Sequence, residues 1–510
     1  MITQKSLEAD FLFFKNQAKA KIQKVDYEGA IDAIKTAVTI AQNYCLLYAD
    51  QEIEDLLLKT AKALAKCQTI KDFKTVPGRI VFYDGFSRDN VMLTTQYVNA
   101  LNAMNCDFMY LTLNPKESIE KQRFYQDLKR NPRATIVAAN GYASIEEAFG
   151  QITHAIEMFR PEKTLIHTRS EDIVGLLPWY IFTSTDRYYV EVTDHSYWPG
   201  VDALDKCICF RNYGYSNAVH YRGIQPDRIL ILPFYPVTVD YPYEGIPESV
   251  QNSVKLFSGG RVTKILDEQD TFLNLIKRVL TSHPNTEFYY AGGGLIDGAG
   301  RFSHIQRFIR RNGLEERFHL LGQRKDILEV SRHMDVFINT YPFGGGLMVQ
   351  IAAMCHLPIV ILSKNGLCAS IEEFLHDDAW QNQEVTYFSE EAVDEVLDQL
   401  IKNEKYRRRL GDKLSQEIIT SDEFSVNLEK ALTTGESPVS PLLHDGDYEL
   451  RRRINIQMDN LVFQRYYGIL LRSKLLKKEK PLRYFWAALK FVAKSDKGYL
   501  INTIKRYILK

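Results

Sequence analysis

The sequence predicts two tandem Rossmann-like α/β domains with helical extensions at both ends. Short apolar runs alternate with helical stretches from residue 76 to about 232, and again from 254 to 362, as parallel strands joined by crossover helices do. A Pro-rich passage from Pro233 to Pro247 separates the two series. At 510 residues the chain also exceeds what one hydrophobic core organises.

Residues 1–75 read as helices, because Ala18, Ile22, Val25, Ala30, Ile31, Ile34 and Val38 recur at three-to-four spacing. The stretch from Asp26 to Lys35 resembles half of a tetratricopeptide repeat. One unit cannot stack into a solenoid, so it is read as a helical cap or as a surface for a protein partner. The first α/β domain, 76–240, has predicted strands at Ile80–Tyr83, Phe108–Leu113, Thr135–Ala138, Thr164–His167, Tyr189–Val192, Cys207–Phe210 and Ile229–Leu232. The second, 241–434, has them at Val254–Phe257, Glu287–Tyr290, Phe318–Leu321, Val336–Ile338 and Pro358–Leu362. Residues 435–510 open with a loop of Gly, Ser, Pro and Asp and continue as a basic helical tail.

Composition narrows the function classes. Hydrophobic residues make up 45% and charged residues 25%, an ordinary globular balance. Lys+Arg and Asp+Glu are 64 each, so no global field draws the chain to nucleic acid. The charge is uneven, however: residues 471–510 hold twelve Lys or Arg against Glu479 and Asp496. The seven cysteines lack metal-type spacing and fit a reducing, cytoplasmic setting. The first 24 residues lack a secretory profile, and no apolar stretch reaches the ~18 residues that span a bilayer. The tail from 461 to 510 is apolar, aromatic and basic. Two readings stand: it lies on the anionic inner face of the membrane as a peripheral anchor, or it packs its apolar side on the rest of the chain.

The chemistry concentrates in the second domain. Asp335 to Leu362 reads strand, glycine loop, helix, strand, with Gly344, Gly345, Gly346 and Leu347 where the helix begins. Backbone N–H groups and the positive helix end make that loop an anion site suited to a nucleotide diphosphate, although a tight turn also uses glycine. The domain opens with a strand running into Gly259, Gly260, Arg261 and Lys264, two cations fit to neutralise a leaving diphosphate. Gly292 and Gly293 follow the next predicted strand, and Gly322, Gln323 and Arg324 the one after. In a parallel sheet all these loops fall on one edge, where open α/β sheets bind ligands.

The order of these elements over 254–362 resembles the nucleotide-sugar lobe of GT-B-fold glycosyltransferases. The glycine turn before a helix, followed by the Pro358-led strand, is most similar to the O-GlcNAc transferase-like group and related bacterial enzymes. The resemblance implies that Gly345, Gly346 and Leu347 hold the diphosphate through backbone amides. It also implies that Lys264 meets a phosphate oxygen and that Gly322 to Asp326 lies by the nucleobase. Many retaining members of the fold carry two glutamates eight apart around this helix. Gly344 to Gln350 has no such acid, which leaves the ribose contact and a retaining outcome unassigned.

In the first domain, Asp84, Arg88 and Asp89 follow the first strand at the position that faces a ligand in such folds, where turn-capping is the competing role. Asp194 and His195, with Tyr197 and Trp198, end another strand. His195 is the first choice for a general base that takes an acceptor proton, and Asp194 the second. The expected activity is transfer of a sugar from a nucleotide-diphosphate donor, UDP-linked first among the choices, to a glycan, lipid-linked or protein hydroxyl. No metal and no separate cofactor are expected, since there is no paired-acid strand end of the Asp-x-Asp type. A nucleotide-sugar epimerase and a non-catalytic binding partner of another protein are the competing functions.

Overall fold

The computed structural model describes residues 2–89, 93–139, 141–247, 251–293, 299–364, 371–375, 384–444, 448–460 and 465–494. They form two compact units. The first comprises Met1–Phe234, Thr420–Ile456 and Gln464–Leu489, and the second Tyr235–Ile419 with Gln457–Phe463 and Lys490–Lys510.

The first unit is built on seven strands: β1 (Val76–Asp84), β2 (Phe108–Pro115), β3 (Ala134–Ala139), β4 (Pro161–His167), β5 (Asp186–Val190), β6 (Lys206–Cys209) and β7 (Ile229–Ile231). Their order is β3-β2-β1-β4-β5-β6-β7, with each neighbouring pair parallel. The inner strands are buried on both faces, so β1 carries Ile80, Val81, Phe82 and Tyr83 without polar alternation. Strand β5 begins three residues before the apolar run that predicts it. The polar pair Arg187 and Asp205 fastens that start, the Arg187 N–H and Nε both donating to the Asp205 carboxylate at 2.9 and 2.8 Å.

The second unit repeats the pattern with six strands: β8 (Val254–Gly259), β9 (Thr286–Ala291), β10 (Phe318–Gly322), β11 (Val336–Ile338), β12 (Ile359–Leu362) and β13 (Thr386–Tyr387). The order is β10-β9-β8-β11-β12-β13, again all parallel. In both sheets the strand order therefore reverses once, between β1 and β4 in the first and between β8 and β11 in the second. Such a switch point opens a crevice at the carboxyl ends of the strands. The two residues of β13 carry no apolar run, and the sequence gives no sign of it.

The N-terminal extension folds as three helices, Gln4–Gln23, Tyr27–Tyr44 and Gln51–Gln68. Asp26 and Asp50 cap the second and third by accepting from the N–H groups of Gly29 and Ile53. The repeat-like stretch is the start of the second helix, and its partner is the chain's own tail. Helices Arg465–Arg472 and Lys474–Glu479 pack on Tyr27–Tyr44 with Leu470, Leu475 and Leu476 buried. The Asp32 carboxylate accepts from the Ser473 hydroxyl at 3.1 Å and from the N–H groups of Lys474 and Leu475 at 3.2 and 2.8 Å. This part of the tail thus takes the packed alternative, while residues 461–464 and 495–510 lie outside the described residues. The helix Ser421–Thr434 packs on Thr94–Ala103 in the first unit, where the Phe424 ring meets the edge of Tyr97 at 5.4 Å.

Candidate active site

In the second unit, parallel pairing puts the ends of β8, β9, β10 and β11 on one sheet edge, and glycine backbone lines it. The Gly260 N–H donates to the Ala291 carbonyl at 2.9 Å, and the Gly292 N–H to the Gly322 carbonyl at 2.8 Å. The fit is close enough to require glycine at 292, where a Cβ would sit 1.8 Å from the Gly260 carbonyl oxygen. At Gly346 a Cβ would come within 2.4 Å of the Phe374 ring. Glycine at 292 thus lets backbone approach backbone, and glycine at 346 lets the Phe374 ring pack against the loop, which a surface turn would not require.

Lys264 reaches across that switch point from the loop after β8 to the loop after β11. Its Nζ donates to the Gly344 carbonyl at 2.6 Å and lies 3.6 Å from where a Gly345 Cβ would stand. The helix Gly346–Met354 starts there. Its first N–H groups have no partner within the helix, and its positive end faces the same loop. Gly345 differs from Gly346 and Leu347, because its N–H donates to the Asn339 Oδ1 at 3.0 Å. Asn339 is buried at the end of β11 and fixes the loop. Its role has no motif in the sequence, since it depends on a bond six residues ahead. The turn Ile371–Phe374 is a second unforeseen part, with Phe374 under Gly346 and the Gln350 amide donating to the Phe374 carbonyl at 3.0 Å.

The remaining second-unit residues divide. Arg261 and Leu347 are exposed. The Gln323 side chain lies beside Gly293, 3.3 Å from where its Cβ would be. Arg324 is turned the other way: its Nε donates to Asp326 at 2.7 Å and its guanidinium to the Gly245 carbonyl at 2.7 Å. The Arg324 guanidinium, with the Glu244 N–H, holds the Asp326 carboxyl below its ordinary pKa. The arginine is thus committed to fastening the segment before β8.

In the first unit the switch point is filled by side chains. Asp84 at the end of β1 and His167 at the end of β4 are fully buried, with the His167 Nδ1 3.0 Å from the carboxylate. Asp84 also accepts from the N–H groups of Phe86 and Ser87 at 2.9 and 3.1 Å, and from the hydroxyls of Thr94 and Tyr110 at 2.9 and 2.8 Å. Burial alone would raise its pKa, but His167 and these donors overcome it and lower it. Asp84 therefore anchors the loop after β1. Asp89 accepts from the N–H groups of Arg123 and Phe124 at 2.8 and 3.0 Å, so it caps the helix Arg123–Arg130.

Asp194 and His195 do form a pair. Asp194 is buried, with its Oδ1 2.9 Å from the His195 Nδ1 and its Oδ2 accepting from the Arg211 Nε at 2.6 Å. Burial opposes ionisation, yet Arg211 and His195 pull the Asp194 pKa well down. The ionised carboxylate makes Nδ1 the protonated nitrogen of a neutral imidazole and leaves Nε2 as its basic atom. The His195 side chain is 43% exposed. Desolvation lowers its pKa below the ordinary value, against the raising effect of Asp194 and with help from Arg451 and Arg211. Arg451, in the helix Tyr448–Met458, was not foreseen because 256 residues separate it from His195. Beneath the pair, the Trp198 indole donates to the buried Glu191 at 3.0 Å, and Arg222 stacks on that indole at 4.5 Å. Trp198 and Tyr197 are buried and serve the core.

Among the described residues, no group of three or more His, Cys, Asp or Glu is arranged to hold a metal ion, and no helix is long and apolar enough to cross a membrane.

Residues 253–402 match the sequence family described as Glycosyl transferases group 1. No curated protein matches the chain in sequence. The structure is similar to that of a Thermobaculum terrenum O-GlcNAc transferase mutant, with a TM-score of 0.52 and 14% identity over 88% of this chain and 85% of that one. It is similar also to Anabaena HepE in complex with UDP and glucose, with a TM-score of 0.51 and 12% identity over 70% of this chain and 99% of that one. The chain therefore has the GT-B fold, and its residues 253–402 are similar to the glycosyl transferases group 1 family.

Proposed function

We propose that this chain transfers a hexosyl or N-acetylhexosaminyl group from a nucleotide-diphosphate donor to a hydroxyl acceptor. The observation that carries the reading is the Lys264 ammonium held 2.6 Å from the Gly344 carbonyl, over the amide-lined start of a helix at the switch point. An anion seated there would meet a full positive charge and the N–H groups of Gly346 and Leu347 together. A diphosphate gains negative charge as the sugar bond breaks, so donors already in place stabilise the transition state more than the ground state. Lys264, with Arg261 on the same loop, supplies the charge that a metal ion would bring. UDP is the favoured nucleotide, since the similar HepE structure is a complex with UDP and glucose.

His195 is proposed as the base. With Nδ1–H donated to Asp194, its Nε2 takes the acceptor hydroxyl proton as the oxygen attacks the sugar carbon, and the nucleotide diphosphate leaves with the bonding electrons. The acceptor is proposed to be a lipid-linked or cell-surface glycan met at the inner face of the membrane. Thermal-shift measurements with UDP, GDP, ADP and their sugars test the donor. Release of free nucleotide diphosphate from the stabilising sugar separates an enzyme from a binding module. The reading fails if none of these ligands raises the melting temperature.

A further inference from the structure

We propose that one face of the Pro481–Lys494 helix docks the protein on an anionic phospholipid bilayer. This helix has two opposed apolar sides. One holds Ala487 and Phe491, both buried against the chain, and Arg483 fastens it by an ion pair to Asp10 with its guanidinium 5.1 Å over the Phe13 ring. The other holds Leu482, Phe485, Trp486 and Leu489, exposed by 77, 57, 61 and 41%. Positions 482, 485, 486 and 489 fall on a single stripe at helical spacing, and Val492 continues it, also exposed. A soluble surface scatters its apolar side chains singly, whereas here two aromatic rings and two leucines are contiguous on one helix.

The surrounding charge selects the occupant. Lys477, Lys478 and Lys480 are exposed at the approach to the helix, and Lys490 is exposed within it. Basic residues beside an aromatic and leucine stripe match a bilayer interface, where rings sit at the headgroup level and ammonium groups meet lipid phosphates. A second copy of this chain fits poorly, because its own lysines would face these across a two-fold contact. The helix has 14 residues, too short to span, so it would lie in the plane of the interface. The docking face deepens the membrane location in the functional reading above and rests on it for its purpose. Its physical basis is independent of the donor site.

The test is co-sedimentation of the full chain, without nucleotide or sugar, with vesicles of phosphatidylcholine alone or mixed with phosphatidylglycerol. The expected result is binding to the phosphatidylglycerol vesicles that weakens as salt is raised, with a blue shift of Trp486 fluorescence. Phe485→Ser with Trp486→Ser should weaken binding roughly 30-fold, the factor that burying two half-exposed rings is worth. Its melting temperature should hold, because both side chains are exposed. Lys477→Glu with Lys478→Glu should remove the preference for phosphatidylglycerol. Equal binding to both vesicle types, unchanged binding by the aromatic variant, or a wild-type dimer that the aromatic variant dissolves would overturn the proposal. A failure here with intact UDP stabilisation leaves the sugar-transfer reading standing, and the reverse outcome leaves the docking face standing.

Discussion

Replacing Asp84 by alanine should unfold the first unit far more readily than losing a surface acid would. The carboxylate collects five donors between 2.8 and 3.1 Å. The Tyr110 hydroxyl can still reach the Ser87 Oγ at 2.8 Å, but among the described residues the N–H groups of Phe86 and Ser87, the Thr94 hydroxyl and the His167 Nδ1 have no second acceptor. A buried donor left unmatched costs about 1–3 kcal/mol, and removing the charge's own desolvation returns part of that. The expected net loss is about 4 kcal/mol, in the range for breaking a buried network. Urea unfolding followed by tryptophan fluorescence in a Trp380→Phe background reads the right unit, because Trp179 and Trp198 are buried within it and Trp380 belongs to the second. The folded Asp84 pKa is depressed, so its stabilisation is present above the unfolded value of about 3.9 and is lost as pH falls through the lower folded value. Wild-type stability should therefore drop on acidification below about pH 4, and the Asp84→Ala protein should respond less. A loss under about 1 kcal/mol, or identical acid profiles, would refute the anchoring role of the carboxylate.

Two other substitutions probe the proposed donor seat and the proposed base, one in each unit. Gly292→Ala places a methyl 1.8 Å from the Gly260 carbonyl oxygen, so calorimetry should find the second unit destabilised by about 3 kcal/mol or more and its nucleotide binding lost. Asp194→Asn removes the charge that fixes the His195 tautomer. Transfer should fall about 10²- to 10⁴-fold while UDP binding is unchanged, and the acid limb of the wild-type rate profile should lie below pH ~6.5, following the lowered His195 pKa. A rate loss under about threefold for Asp194→Asn would remove His195 from the base role.

The fold was legible where apolar runs were continuous, because strands buried on both faces cannot alternate polar and apolar residues. The glycine loops were legible for a related reason, since the Gly260 backbone beside 292 and the Phe374 ring beside 346 leave no room for a side chain. What the sequence hid depends on pairing over distance. Nothing local marks Asp84 for His167, 83 residues away, or Asp32 as the cap of a helix 442 residues later. The loop position of Arg324 places it on the nucleobase side by resemblance, yet its side chain is bound to Asp326 two residues on. The helix Pro481–Lys494 holds two apolar sides in one pattern, and only packing separates the side fastened to helix Gln4–Gln23 from the side that meets solvent.

Isothermal titration of UDP into the wild type and the Lys264→Ala protein tests the phosphate seat most directly. The ammonium over the Gly344–Gly346 loop should contribute one charge-assisted contact, so its loss should weaken UDP about 10- to 100-fold with the fold intact. Equal affinity in both proteins, or no binding of UDP, GDP or ADP to the wild type, would contradict the account.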